Sequence, residues 1–149
     1  MTPGPFFRRY LELRRRGEFA AFNALVPYAA VVGFELEETA HGPVTLLPPK
    51  ASNIGNTQFP AVHGGVVGAL LEHAGFMQVL WECEIERFPK IINISLAYLR
   101  PCLATCETRA RAVLVKQGRS VTNVRMEAWQ QDPAKPVAAA HAHFLMSGA

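Results

Sequence analysis

The chain has 149 residues, of which 50% are apolar and 18% are charged, and its formal net charge is +3. This length suits one domain with a substantial core, and this composition excludes a disordered chain. Basic residues cluster only at positions 8–9 and 14–16, so the sequence lacks the basic stripe of a nucleic-acid-binding protein. The longest apolar stretch, residues 22–34, is interrupted by Pro27 and is too short to span a membrane.

The cysteines indicate a reducing compartment. Cys83, Cys102 and Cys106 are odd in number and not paired in spacing, which favours neither a disulfide framework nor a zinc site. The N-terminus also lacks the apolar segment of a secretory signal. We therefore expect a cytoplasmic protein. His141 and His143 share one face of a predicted strand, but without a third ligand they predict no metal site.

The N-terminal part shows helical periodicity. Residues 6–26 are predicted to be helical with an interruption at Gly17, and Pro27 is predicted to end this region. Two short strands and a loop are predicted to follow: residues 31–39, 43–48 and 48–62. No linker divides the rest of the chain, so we expect an N-terminal helical extension (residues 1–26) and one main domain (residues 27–149).

The segment 64–81 is apolar around almost its whole helical circumference, which predicts a helix buried on nearly all sides. Four segments with period-two alternation follow it: residues 90–100, 106–117, 120–130 and 137–146. Alternation of this kind is typical of antiparallel strands that must cover one apolar face. The sequence therefore predicts an α+β fold, in which an antiparallel sheet wraps around one long central helix.

Glu72 stands out on this helix. Its stripe holds Gly68, Gly75 and Val79, which predicts open space beside the carboxylate. A carboxylate buried without a basic partner is costly, and burial raises its pKa toward the range of a general base. The alternative is an ordinary helix glutamate, bonded to neighbouring backbone or exposed at a gap.

Gly64 and Gly65 open the same helix. A helix start offers unpaired backbone N–H groups and the positive end of the helix dipole. Without side chains, these positions let a ligand oxygen approach closely, as in an oxyanion site. The alternative is a tight turn into the helix with no further role.

The spacing of these two features has a consequence for assembly. Glu72 follows Gly64 by eight residues, which places them about 12 Å apart along the helix axis. They cannot act on one carbonyl within a single chain. We therefore predict an obligate dimer, in which Gly64 of one subunit meets Glu72 of the other.

Several motifs together resemble the PaaI-like hotdog-fold acyl-CoA thioesterases. They are His63-Gly64-Gly65-Val66, Glu72, Tyr98-Leu99-Arg100-Pro101 and Gly118-Arg119. The resemblance implies a hotdog fold and a cytoplasmic enzyme that hydrolyses acyl-CoA to free acid and CoA, without a cofactor. It implies that Glu72 is the nucleophile or general base, that Gly64 N–H binds the oxyanion, and that His63 shapes the loop.

The chain differs from this family at the position whose side chain holds the nucleophilic water. The family usually has Asn or Gln at the position of Thr57. We therefore expect Asn56 to take that role, with Gln58 as the next candidate. A family Ser or Thr in the strand after the helix corresponds to Ile91, or is shifted to Asn93, which we take as a substrate-binding candidate.

The remaining binding candidates concern the coenzyme. Arg100 and Arg119 suit phosphate oxygens, although each also fits a solvated strand end, and Gly65 is expected beside the substrate. The expected partners are an acyl-CoA substrate and further copies of this chain, as a dimer or a dimer of dimers. No nucleic acid, membrane or metal partner is expected.

Two alternatives remain open. A hydroxyacyl thioester dehydratase of the same fold has a His before Phe-Pro, where this chain has Gln58. A non-catalytic acyl-CoA-binding protein would keep the fold and lose turnover. The sequence does not predict the acyl group.

Overall fold

The computed structural model describes residues 3–146. Its helices are α1 (Pro5–Arg16), α2 (Phe19–Leu25), α3 (Pro27–Val32) and α4 (Gly64–Glu82). Its strands are β1 (Glu35–Thr39), β2 (Gly42–Leu47), β3 (Ile54–Asn56), β4 (Ala61–Val62), β5 (Lys90–Tyr98), β6 (Thr108–Gln117), β7 (Val121–Trp129) and β8 (Ala138–Leu145). A short 3₁₀ helix spans Ala51–Asn53. No helix among these residues is both long and apolar enough to cross a bilayer.

Six strands form one antiparallel sheet in the order β1-β2-β6-β7-β8-β5, and β3 and β4 form a separate pair. The long helix α4 packs on one face of the large sheet, against β2, β6, β7, β8 and β5. That face is rich in small side chains, including Ala110, Ala128, Ala138 and Ala140, all buried. Small residues let the helix approach the sheet closely, and the predicted hotdog arrangement is confirmed.

The glycines of α4 serve this close packing. A Cβ atom added at Gly75 would lie 3.2 Å from Sδ of Met126 and 3.3 Å from Phe144, and one at Gly68 would lie 3.1 Å from Leu96. The prediction that both glycines leave open space beside Glu72 is therefore wrong. Side chains of the sheet fill that space.

The N-terminal helices form a second apolar cluster over the C-terminal half of α4. It contains Phe7, Tyr10, Leu13, Phe19, Phe22, Met77 and Leu80. The hydroxyl of Tyr10 donates a hydrogen bond to the Leu80 carbonyl at 3.2 Å. Gly17, with a φ of 70°, ends α1 in the left-handed conformation, as the predicted interruption required. The extension thus packs against α4. The division into residues 1–26 and 27–149 stays a prediction, and residues 1–2 and 147–149 lie outside the described part of the chain.

Pro27 begins a helix and does not end the helical region. Proline suits the first position of a helix, where its fixed φ fits and no N–H is needed. Residues 31 and 32 are helical for this reason, and the first strand starts only at Glu35. The predicted loop 48–62 holds the 3₁₀ helix and the β3–β4 pair.

Strand β5 lies at an open edge of the sheet. Its pairing with β8 shifts register between Ile91 and Asn93, so a bulge turns Ile92 outward, where it is 57% exposed. Regular period-two alternation along residues 90–100 would place Ile92 on the face of Ile94, and the bulge breaks this alternation. Beyond the bulge, Leu96 and Tyr98 point toward α4 but remain partly uncovered.

Candidate active site

The turn into α4 is organised by His63. Its ring Nδ1 accepts a hydrogen bond from the Gly65 N–H at 2.9 Å, and the backbone N–H of His63 donates to the Asn53 carbonyl at 2.8 Å. His63 is therefore the N-cap of the helix and satisfies the Gly65 donor. Among residues 3–146, the Gly64 N–H has no hydrogen-bond partner. One free donor thus remains at the positive end of α4.

A cavity of about 400 Å³ opens beside this donor. Gly64, Val67, Tyr98 and Arg100 contribute to its wall. The hydroxyl of Tyr98 donates to the Gly64 carbonyl at 2.8 Å, which anchors the Gly64–Gly65 peptide and does not involve the Gly64 N–H. Arg100 donates to the Pro136 carbonyl at 2.6 Å, so its guanidinium is anchored at the rim.

Glu72 lines a different cavity, of about 530 Å³. The residue is exposed in the single chain, so the prediction of a buried carboxylate is wrong at this level. Its surroundings are nevertheless apolar, and partial burial raises the pKa of the carboxyl above its usual value of 4.5. Among residues 3–146, Glu72 has no ion pair and no side-chain hydrogen bond. Its carboxylate is thus free to accept a proton.

The two cavities share no residue, so Gly64 and Glu72 face different spaces within one chain. This agrees with the separation that their helical spacing predicts. Each cavity taken alone offers one kind of group, either a free backbone N–H or a carboxylate.

His73 and Asn23 form a buried pair beside Glu72. Nε2 of His73 lies 2.6 Å from Oδ1 of Asn23, and Nδ2 of Asn23 donates to the Phe34 carbonyl at 2.9 Å. Burial lowers the pKa of His73 from 6.5 to about 4, so the ring is neutral at physiological pH. No local sequence pattern indicates this pair, because the partners lie fifty residues apart and on separate helices.

The family model for the acyl-CoA thioesterase N-terminal domain matches residues 52–145, which include α4 and the strands from β3 to β8. The chain belongs to this thioesterase family. The predicted resemblance to PaaI-like thioesterases is confirmed, and the chain carries a thioester-hydrolase domain.

Solved structures agree with this assignment. A protein from Chromobacterium violaceum is 36% identical, with a TM-score of 0.76, and the match covers 95% of this chain and 98% of that one. A phenylacetic acid degradation-related protein from Ralstonia eutropha is 29% identical, with a TM-score of 0.71 and coverages of 95% and 99%. A Bacillus halodurans protein crystallised with CoA is 21% identical, with a TM-score of 0.73 and coverages of 99% and 97%, and supports the fold alone. No curated protein matches the sequence significantly.

The loop before α4 contains Asn56 and Gln58, the two residues predicted to hold the nucleophilic water. Oδ1 of Asn56 accepts the backbone N–H groups of Gln58 at 3.0 Å and Phe59 at 3.2 Å, so this side chain stabilises its own turn. Gln58 is exposed. Neither residue lines the cavity of Glu72.

The other binding candidates are dispersed. Asn93 lies on the outer face of the sheet, with Oδ1 3.3 Å from Nδ1 of His143, and therefore faces away from α4. Arg119 is exposed in the turn between β6 and β7 and lines neither cavity. Of the predicted binding residues outside the turn, only Arg100 lies in the cavity of Gly64. Within residues 3–146, His, Cys, Asp and Glu form no cluster suited to a metal ion.

Proposed function

We propose that the protein hydrolyses acyl-CoA thioesters to free acid and CoA at a site shared by two subunits. The observation that carries this proposal is that one helix presents both a free hydrogen-bond donor and a free carboxylate. The unpaired Gly64 N–H can stabilise an oxyanion, and the unpaired Glu72 carboxylate, with its raised pKa, can take a proton.

The reaction requires both groups at one carbonyl. The Gly64 N–H binds the thioester oxygen and stabilises the negative charge that develops on it. Glu72 either removes a proton from the attacking water or attacks the carbonyl itself to form an anhydride that water then hydrolyses. Both routes release CoA as the thiol and the acyl group as a carboxylic acid. Arg100 lines the Gly64 cavity, and its guanidinium suits phosphate oxygens of the coenzyme.

The edge strand β5 offers a way to join two half-sites. It leaves Ile92, Leu96, Tyr98 and the following Leu99 exposed, an apolar surface that a monomer would rarely leave uncovered. Antiparallel pairing of two β5 strands about a two-fold axis would extend the sheet and bring two α4 helices side by side. Gly64 of each subunit would then approach Glu72 of the other. Two such dimers would form the expected tetramer.

The compartment and the coenzyme have independent support. The three cysteines are unpaired, which suits the cytoplasmic location that we propose. The Bacillus halodurans neighbour binds CoA on the same fold, which favours CoA thioesters as the substrate class.

Thiol release from a panel of acyl-CoA esters tests the proposal. We expect Glu72→Gln to lower kcat by about 10²–10⁴-fold, because the amide can neither attack nor accept a proton. Glu86→Gln is the matched control, since Glu86 is exposed in the loop after α4 and lines neither cavity. It should retain the wild-type rate.

The same panel separates the alternatives. Binding of acyl-CoA without thiol release by the wild type would support the non-catalytic acyl-CoA-binding protein. Conversion of a hydroxyacyl-CoA to an absorbing enoyl-CoA without thiol release would support the dehydratase, although Gln58 stands where that class has its histidine.

A further inference from the structure

The peptide unit between Gly64 and Gly65 is held at both of its polar atoms. Its N–H, which belongs to Gly65, donates to Nδ1 of His63 at 2.9 Å. Its carbonyl, which belongs to Gly64, accepts the hydroxyl of Tyr98 at 2.8 Å. The two partners come from different places in the fold, because His63 directly precedes α4 and Tyr98 is the last residue of β5. The orientation of this peptide is therefore fixed from two sides.

The Tyr98 ring lies over the first turn of α4, where two glycines leave room for it. A Cβ atom at Gly64 would lie 3.5 Å from the Tyr98 hydroxyl oxygen, and one at Gly68 would lie 3.6 Å from it. Among residues 3–146, no other side chain hydrogen-bonds to a backbone atom of Gly64. Tyr98 is thus the side chain that restrains this residue directly.

Gly64 depends on such a restraint. Without a Cβ atom, glycine adopts a wide range of φ and ψ, so its neighbours determine the direction of its N–H. Position 64 begins the helix, where the N–H has no intrahelical partner to hold it. An oxyanion donor is effective when it already points at the place where negative charge develops. A bond that fixes the Gly64 carbonyl therefore also matters for its free N–H.

The hydroxyl of Tyr98 acts through Gly64 and not on a ligand. A tyrosine hydroxyl carries a single hydrogen, and in Tyr98 this hydrogen is used in the bond to the Gly64 carbonyl. The same residue lines the cavity beside the Gly64 N–H, so a ligand oxygen at that N–H would lie near the ring. The hydroxyl is therefore suited to positioning the donor and not to donating a proton itself.

We propose that Tyr98 is a positioning residue, which orients the Gly64 N–H toward the thioester oxygen through its hydrogen bond to the Gly64 carbonyl. This inference rests on the proposed function, in which that N–H stabilises the oxyanion. Loss of the bond weakens an interaction that becomes strong only as negative charge develops. Its effect therefore falls on kcat and leaves KM unchanged.

Tyr98→Phe removes the hydroxyl and keeps the ring. We expect kcat for acyl-CoA hydrolysis to fall about tenfold, with KM changed by less than about twofold. Tyr10→Phe is the matched control, because the Tyr10 hydroxyl also donates to a carbonyl of α4, that of Leu80, and Tyr10 lines neither cavity. This control should lower the melting temperature and keep the wild-type kcat.

A double-mutant cycle shows whether Tyr98 acts through the Gly64 N–H. Gly64→Pro removes that N–H and keeps the carbonyl, so Tyr98→Phe should cause no further loss of kcat in this background. A purely structural role of the hydroxyl would instead lower kcat by the same factor in both backgrounds. Circular dichroism and thermal unfolding of all variants show whether each one is folded.

Each outcome separates this inference from the proposed function. If Gly64→Pro is impaired while Tyr98→Phe keeps the wild-type kcat, the role of Tyr98 is refuted and the thioesterase stands. A rise in KM at constant kcat, or a loss that multiplies with that of Gly64→Pro, also refutes the positioning role. A wild type that releases no thiol from any ester refutes the proposed function and this inference together.

Discussion

Gly64 combines two properties that other residues of the turn lack. It stands at the first position of α4, and its N–H is unpaired while that of Gly65 is taken by His63. Its role in the proposed reaction therefore depends on one backbone hydrogen and on no side chain of its own. This makes proline, which has no N–H, the informative substitution.

We predict that Gly64→Pro lowers kcat by about 10²–10³-fold, the usual effect of losing one oxyanion donor. Proline fits the first position of a helix, and His63 before it is already extended, with a ψ of 132°. Gly64→Ala is the matched control, because it keeps the N–H and its Cβ would lie 3.5 Å from Tyr98, an ordinary contact. Steady-state kinetics and circular dichroism of both variants make the test. Equal losses in the two variants would refute the backbone role.

His73 makes a prediction about pH and stability. Its pKa is about 4 in the folded chain and 6.5 in the unfolded chain, so the unfolded state binds more protons between these values. Stability must therefore fall as pH decreases from 6.5 toward 4. Between pH 7 and pH 5 the histidine contributes a loss of about 2 kcal/mol.

Urea unfolding of the wild type and His73→Gln at both pH values measures this contribution. The variant should lose less stability on acidification, and taking the difference between the two proteins cancels the opposite effect of the raised Glu72 pKa. Identical losses of unfolding free energy in the two proteins would show that His73 does not cause the loss of stability at low pH.

At the scale of elements, the N-terminal helices act as part of the core. Phe22 on α2 is 1% exposed and lies between the rings of Tyr10 and Phe88, with centroid distances of 5.1 and 5.9 Å. Val26 and Tyr28, which follow α2, line the cavity of Glu72. The extension therefore packs into the core, and the residues that follow α2 line the cavity of Glu72.

We predict that Phe22→Ala lowers the free energy of unfolding by about 3–5 kcal/mol, because it leaves a cavity in the aromatic cluster. Phe59→Ala, at a half-exposed ring in the loop before α4, should cost much less. Thermal and urea unfolding of both variants provide the comparison. Equal small losses would mean that the extension is only loosely attached to α4.

The elements differ in how far the sequence could predict them. Strands β6 to β8 follow from the alternation of buried and more exposed residues along much of their length, and helix α4 follows from its long apolar run. Strand β5 follows from its alternating sequence, although each of its residues is at least partly exposed. Helix α3 was missed because a proline can begin a helix as well as end one. The bulge at Ile92 and the pair of Asn23 with His73 depend on which segments meet in the fold, and no local pattern records that.

At the scale of the whole molecule, the proposed site is a property of an assembly. Its two groups lie in cavities with no residue in common, so each chain alone presents half of the proposed reaction. The sequence could predict this separation because helix geometry converts residue number into distance. It could not predict the surface that we propose joins the halves, since the position of β5 at the sheet edge follows from strand order.

Subunit mixing tests the shared site. Glu72→Gln and Gly64→Pro should each be inactive, but a heterodimer of the two rebuilds one intact site from the unmodified Gly64 and Glu72. Denaturing and refolding them together in equal amounts gives half heterodimers, so about one quarter of the wild-type activity should return. The separately refolded variants are the control, and a mixture that stays inactive argues for a site within one chain.

The two edges of the sheet differ in chemistry. The outer edge strand β1 carries Glu35, Glu37 and Glu38, all exposed, whereas the opposite edge β5 is apolar. In the proposed dimer the two β5 edges pair with each other at the two-fold axis. The joined sheet then ends at a β1 strand on each side, and both of these edges are acidic. Two such ends repel each other, so lateral growth stops at two chains and the protein avoids forming fibres.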